Sequence, residues 1–277
     1  MTDEWEVDRL DLAAYLRRTG HDGALAPTGT TLSALHRAHV AAVPFENLDV
    51  VLGRAVSVDL DNVQAKLVTR RRGGYCYEHG VLFAAVLERL GYEVDRLLAR
   101  IGADEQRPRP RSHMTLRVRG EDGQWLADVG FGSGLLEPLP WGATGASRQG
   151  GWTYDLLHSG PDVWQLREQQ DDGWSVLYSF TEDRQHASDV AVANHFTSTH
   201  AQSPFVGALV VMRKDAGTRT RLLGRRLTVA RPDGPAQERE LTDAEVLDAL
   251  RDVFDLSLTP EEAATLTAAL PAYGGTA

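Results

Sequence analysis

A chain of 277 residues, 42% of them hydrophobic and 25% charged, has the composition of a soluble globular protein long enough for two or three domains. Its formal net charge of −10 argues against a nucleic-acid partner, because phosphate binding needs a basic face. The single cysteine, Cys76, excludes an internal disulfide and a cysteine-rich zinc site, so no metal is expected.

The N-terminal "MTDEWEVDRL" is acidic and lacks the basic-then-apolar layout of a signal peptide. The longest clean apolar run, "VGALVVM" at 206–212, is far short of the roughly 20 residues that cross a bilayer. A cytoplasmic protein with no membrane partner is expected. The first ninety residues read as helices. "DLAAYLRRTG" puts Leu12, Tyr15 and Leu16 on one face and stops at Gly20. "TTLSALHRAHVAAVP" repeats Leu32, Leu35, His39 and Val40 at the same spacing after a Thr cap, until Pro44. "DLDNVQAKLVTRRRGG" carries Val63 and Leu67 and then three arginines and two glycines, the composition of a helix C-terminus. From Tyr77 to Leu90, Val81, Leu82, Ala85, Val86 and Leu90 form another buried face, closed by Gly91.

At Tyr92 the period changes from 3.6 to 2. "YEVDRLLARI", "HMTLRVR", "QWLADV", "WTYDLLH", "DVWQLRE" and "GWSVLYSF" predict the strands of an antiparallel sheet or barrel, with turns at "GEDG", "HSGPD" and "QQDDG". A helix is predicted over 182–195 behind a Thr181 cap. From Val206 the pattern predicts strands and then two helices, started at Thr242 with Glu245 and at Thr259 with Pro260 and Glu262. The reading is therefore an α+β multidomain protein: a helical bundle over 1–91, an antiparallel β-barrel over 92–200 and an α/β tail over 201–277.

Cys76 lies in "RRGGYCYEHG", at the start of the predicted 77–90 helix, where unpaired amides and the helix dipole favour a thiolate. Gly73 and Gly74 before it permit a backbone turn closed to other residues. A lone cysteine is also commonly a small, inert core residue. A thiolate nucleophile needs a base, and the base an orienting group. "SHMTLRVRGEDGQWLADVGFG" supplies both if it folds as a hairpin. Pairing Arg119 with Gln124 sets His113 opposite Gly130 and Thr115 opposite Asp128, so His113 and Asp128 become diagonal neighbours about 7–8 Å apart at Cβ or closer. A register shifted by two keeps the shared face. The other face, Met114, Leu116, Val118, Trp125, Ala127 and Val129, is apolar. A buried, hydrogen-bonded His–Asp pair without chemistry fits the same geometry.

Together with "VPFENLDV" at 43–50 and "NHFTSTHAQSPF" at 194–205, the segments "RRGGYCYEHG", "SHMTLRV" and "WLADVGFG" resemble, in sequence order, the arylamine N-acetyltransferases. The resemblance implies a helical bundle, a β-barrel and an α/β lid around a cysteine-protease-like Cys-His-Asp core. It implies Cys76 as nucleophile, His113 as base and Asp128 as orienting group. It implies acetyl transfer from acetyl-coenzyme A, a co-substrate and not a bound cofactor, to an arylamine, arylhydroxylamine or arylhydrazine, a role in xenobiotic metabolism. An amide synthase of the same fold acting on a carrier-bound acyl chain, or a cysteine hydrolase, would share that triad. Gly130 and Phe131 are the expected acyl and coenzyme contacts, followed by Phe45 and Phe205; core packing is the alternative for each phenylalanine. Glu46 is expected to pair with Arg72 and brace the cysteine turn. "RPRPR" at 107–111 is read as an exposed loop, with coenzyme phosphates as its other reading. The chain departs from the family at Gly80, where many members carry Asn, and at Ala201, where Pro is common. A homo-oligomer stays open.

Overall fold

The computed structural model of the chain describes residues 4–102, 108–143 and 145–270. A short 3₁₀ turn, Val7–Arg9, leads into α1 (Leu12–Thr19), which Asp11 caps through the Ala14 amide and Gly20 ends in a left-handed conformation. Helix α2 (Gly29–Ala42) is capped by Thr28, and the chain then runs through the two-residue strand β1 (Phe45–Glu46) into α3 (Leu48–Val51). Helix α4 (Leu60–Gln64) continues into a π-helical turn, Ala65–Thr69, and α5 (Cys76–Arg89) follows.

Eight antiparallel strands come next: β2 (Glu93–Ile101), β3 (Arg111–Gly120), β4 (Gly123–Ala127), β5 (Leu139–Pro140), β6 (Ser147–Gln149), β7 (Trp152–His158), β8 (Trp164–Gln170) and β9 (Gly173–Phe180). They form one sheet in the order β5-β4-β3-β2-β9-β8-β7-β6, curled into a nearly closed barrel. Helix α6 (Ala187–Thr199) then leads to β10 (Val210–Lys214), β11 (Arg219–Leu223), β12 (Arg226–Arg231) and β13 (Gly234–Glu240), followed by α7 (Asp243–Asp252) and α8 (Pro260–Ala269). The second sheet runs β1-β10-β11-β12-β13, so a strand from the first fifty residues opens the sheet of the last seventy. No described helix is long and apolar enough to cross a membrane.

Hairpin β3–β4 sets the site. Its register is the expected one: Arg119 pairs with Gln124 and Leu116 with Ala127, with Glu121 and Asp122 as the turn. The apolar face packs on α5, burying Met114, Leu116, Val118, Ala127 and Val129 in one core with Val81, Leu82 and Val86. Gly80 belongs to this contact, because a Cβ there would lie 3.0 Å from Met114 Sδ. The barrel interior is a second core, with Trp152, Tyr154 and Leu156 facing Trp164, Leu166 and Tyr178. Helices α7 and α8 cover the second sheet through Val246, Leu250 and Leu266, and Leu48 and Val51 of α3 join that core.

Three expectations change. The helix expected over 182–195 begins only at Ala187, because Glu182 instead accepts hydrogen bonds from Arg117 and Trp164, and Asp189 accepts from the His186 amide at the true start. The helix before "RRRGG" ends at the arginines as expected, but its last five residues, Ala65–Thr69, are π-helical. Its left-handed residue is Arg71, with φ 54°, and not a glycine. The two capping boxes of the tail, Thr242–Glu245 and Thr259–Glu262, form as expected.

Asn47 ties the two ends of the chain together. Its side-chain nitrogen donates to the carbonyls of Phe205 (2.9 Å) and Ala208 (2.7 Å), and its oxygen accepts from the Val210 amide at 2.7 Å. Asn47→Ala removes three backbone hydrogen bonds, one of them buried and two part-buried, and is expected to lower stability by about 2 kcal/mol. Urea denaturation of the variant and the parent measures the loss; an unchanged midpoint contradicts this account of the tie.

Candidate active site

Helix α5 begins on Cys76, so the cysteine stands at a helix start as its sequence position implies. Tyr75 before it is extended, and its amide donates to Glu78 Oε2 at 3.1 Å. Gly73 and Gly74 are required for close approach and not for a left-handed turn. A Cβ on Gly73 would lie 2.2 Å from the Pro44 carbonyl oxygen, and one on Gly74 2.7 Å from Glu78 Oε2. The turn therefore lies against β1, where the Glu46 amide donates to the Gly74 carbonyl at 2.8 Å.

A buried charge network supports this turn. Glu46 accepts from Arg72 Nε at 3.2 Å, the pairing expected from sequence. Lys66 Nζ lies 2.8 Å from Glu78 Oε1 and 2.7 Å from Asp49 Oδ2. Burial pushes the Glu78 carboxyl up to about 7 against the pull of Lys66. A second, neutral chain reaches the turn from the bundle. His79 Nε2–H faces the carbonyls of Gly74 (3.0 Å) and Pro44 (3.3 Å), so its Nδ1 accepts from His39 Nε2–H at 2.8 Å. His39 Nδ1 in turn accepts from the Tyr15 hydroxyl at 2.9 Å. Burial pushes His79 down to about 4, which keeps this chain uncharged.

Strand β3 and the end of β4 bring in the other two groups. His113 Nε2 is 2.6 Å from Asp128 Oδ2, and Cys76 Sγ lies 3.6 Å from the carbonyl oxygen of Ser112. With Nε2 engaged by the carboxylate, Nδ1 is the nitrogen available to the thiol, and the nearby Cys76 side chain also favours the charged ring. Burial opposes the charge on His113, but Asp128 outweighs it and lifts the ring to about 10. All three residues are nearly out of solvent, with 3%, 2% and 3% exposure at Cys76, His113 and Asp128.

Asp128 is itself held on every side. Its Oδ1 accepts from the Gly130 amide at 3.0 Å, and its own amide donates to His36 Nε2 at 3.2 Å. His36 Nδ1–H donates to the Leu136 carbonyl at 3.0 Å, which fixes the tautomer, and burial pushes His36 down to about 4. Gly130 must be glycine, since a Cβ would come 2.9 Å from the Cys76 carbonyl oxygen. The loop of Asp128 and the first turn of α5 are thus in backbone contact.

The expected aromatic residues fall into two groups. Phe131 stands edge-on to His113 at 5.2 Å. Phe45 lies parallel to His79 at 6.4 Å, and Phe205 packs on both Phe45 (5.7 Å) and Tyr75 (5.8 Å). Gly132 abuts Phe45, where a Cβ would lie 2.8 Å from the ring. In the "RPRPR" segment Arg107 lies outside the described residues, Arg109 is exposed and Arg111 faces Asp183 at 3.6 Å. Sequence reasoning passed over the supports. Tyr15 and His39 read as helix-face residues, and His36, Asn194 and Thr197 carried no assigned role. In the structure Asn194 accepts from the Tyr75 hydroxyl and Thr197 pairs with that of Tyr77 at 3.3 Å, so α6 holds both tyrosines flanking Cys76. Polar residues interrupting an apolar helix face are the signal that marks such positions.

Comparison with known proteins places this geometry. A family model described as N-acetyltransferase matches residues 29–263. The arylamine N-acetyltransferase of Mycolicibacterium smegmatis is 39% identical over 256 residues, spanning 90% of this chain and 93% of the relative. The crystal structure of the Nocardia farcinica arylamine N-acetyltransferase superposes with a TM-score of 0.90 at 40% identity, covering 96% of this chain and 98% of its own. The Mycobacterium marinum arylamine N-acetyltransferase in complex with CoA gives 0.84 at 34% identity, over 94% and 98%.

Because His113 binds its proton more tightly in the folded chain, the pair with Asp128 contributes fully below the ordinary histidine value near 6.5 and is lost as pH rises through about 10. The gap in melting temperature between the parent and Asp128→Asn should therefore be widest at or below pH 6.5 and narrow towards pH 10. Calorimetry across that range measures it; a gap that stays constant removes the ion pair from the account.

Proposed function

The chain belongs to the arylamine N-acetyltransferase family, a family of acyltransferases, and from that premise we propose that it moves an acetyl group from acetyl-coenzyme A to an arylamine, arylhydroxylamine or arylhydrazine. The observation that carries the reading is His113, held by Asp128 through Nε2 and left with Nδ1 for Cys76. That arrangement suits a thiolate–imidazolium pair at a helix start. The CoA bound to the Mycobacterium marinum relative supports acetyl-coenzyme A as the donor.

In the first half-reaction the Cys76 thiolate attacks the thioester carbonyl and a carbon–sulfur bond to Cys76 forms. The carbon–sulfur bond to coenzyme A breaks, and the departing thiolate takes the proton from His113. Cys76 then carries the acetyl group. An aromatic amine is weakly basic and arrives unprotonated, so it attacks the acetyl carbon directly. His113 takes up the amine proton as the Cys76 thiolate leaves. Asp128 keeps the ring in one tautomer through both steps. The Cys76 amide, unpaired at the first position of α5, is the assigned donor to the oxyanion. Gly130, Phe131, Phe45 and Phe205 are assigned to the walls of the acyl and amine site, with Gly130 serving through its lack of a side chain.

A covalent acetyl-cysteine requires a ping-pong scheme in which the first step needs no amine. Acetyl-coenzyme A alone should release close to one equivalent of coenzyme A in a burst and add one acetyl group to the peptide holding Cys76. Addition of 4-aminobenzoate or a hydrazine should discharge it. Cys76→Ala should abolish the burst, and Asp128→Asn should cut turnover by about 10⁴ if the tautomer is lost. A full burst and transfer from Cys76→Ala overturns the mechanism, and a cysteine peptidase would give no such burst.

A further inference from the structure

Lysine occurs only twice in this chain, at Lys66 and Lys214, against 29 basic residues in all. Both are buried, with 4% and 3% exposure. Lys66 supports the nucleophile turn, as described above; Lys214 has no place in the chemistry. It is the last residue of β10, and its side chain crosses from the second sheet into the barrel. Nζ donates to the carbonyls of Gly134 (2.9 Å) and Ser133 (3.1 Å) and to the Tyr154 hydroxyl, which itself donates to the Gly134 carbonyl at 2.8 Å. Glu168 Oε1 lies 3.5 Å away, and the rings of Trp152 and Tyr154 present their faces at 4.4 and 4.6 Å. Burial, and then Arg219, pull this amine below its ordinary value. The Ser133 and Gly134 carbonyls and the Tyr154 hydroxyl accept its N–H groups whether or not it is charged.

Ser133 and Gly134 belong to the loop that carries Phe131 to the edge of His113. Packing alone leaves that loop incompletely supported. A cavity of about 20 Å³, room for one water, lies among Asp128, Gly132, Gly134 and Lys214. A compact tetrahedral amine reaches two successive carbonyls between two ring faces, which a planar guanidinium of greater bulk does not. That accounts for lysine in a chain otherwise given to arginine.

We propose that Lys214 is a positioning residue: by holding the Ser133 and Gly134 carbonyls it fixes Phe131 against His113, so that the second sheet sets the shape of the acyl-transfer site. The transfer role rests on the function proposed above; the placement of Phe131 does not. The test is a double-mutant cycle of Lys214→Met and Phe131→Ala, with two readouts. The first is kcat/KM for acetyl transfer. The second is the ratio of Cys76 alkylation rates by N-phenyl iodoacetamide and by iodoacetamide, in which thiol reactivity cancels and the aromatic wall remains. Lys214→Met alone should lower kcat/KM about tenfold and shift the ratio severalfold, as a displaced wall does. In the Phe131→Ala background the same change should alter either readout by less than about twofold. Equal effects in both backgrounds, or none in the first, overturn the proposal. A parent enzyme without transfer activity overturns the function instead, while the alkylation ratio still decides the placement of Phe131. Should Lys214→Met fail to fold, Tyr154→Phe removes one bond of the same bracket and is expected to shift the ratio in the same direction; an unshifted ratio there counts against it.

Discussion

The structure turns on one hydrogen bond, that of His113 Nε2 to Asp128 Oδ2 at 2.6 Å in a setting almost free of water. A buried carboxylate is costly to leave unpaired, and so is a buried imidazolium. Each is tolerated here because the other is present and because the remaining acceptor of Asp128 is filled by the Gly130 amide. That amide belongs to the residue packed against the backbone of Cys76, so Asp128 serves both His113 and the loop beside the cysteine. Removing Asp128 would therefore disturb charge, tautomer and spacing at once.

Cys76 is positioned with equal redundancy. Its turn is held from the bundle by the Tyr15–His39–His79 chain, from beneath by Lys66 and Arg72 with their carboxylates, and from α6 by the hydroxyl bonds of Tyr75 and Tyr77. The segments 43–50 and 194–205 are far apart in sequence but adjacent in space. Asn47 binds the backbone of Phe205 and of the residues just after it, and β1 pairs at once with β10 and, through Phe45, with Gly74. Such supports give a site its precision, because a displaced reacting group loses rate far out of proportion to the movement.

What was legible in the sequence followed period and pairing. The β3–β4 register came from the alternation of Met114, Leu116 and Val118 against a short polar turn, and it placed His113 and Asp128 on one face before any coordinates. The strands β1, β5 and β6 escaped notice because two or three residues carry no period; they exist through their partners. The start of α6 was misplaced because Thr181 is as good a local cap as His186, and only the distant Arg117 and Trp164 draw Glu182 away from a helix. Gly73 and Gly74 were correctly marked as necessary for the wrong reason: close approach to Pro44 and Glu78, which no local pattern reveals. His36, His39 and Lys214 act through partners 40 to 100 residues away, which no local pattern names.

The central proposal is that His113, held protonated by Asp128, activates Cys76 as the nucleophile. The rate of Cys76 alkylation by iodoacetamide between pH 6 and pH 8 tests it most directly, since only the thiolate reacts. The account predicts a rate already high at pH 6 and nearly level to pH 8, with that plateau lost in Asp128→Asn. A rate in the parent protein that climbs about tenfold per pH unit across the range, as for an ordinary thiol, would contradict it.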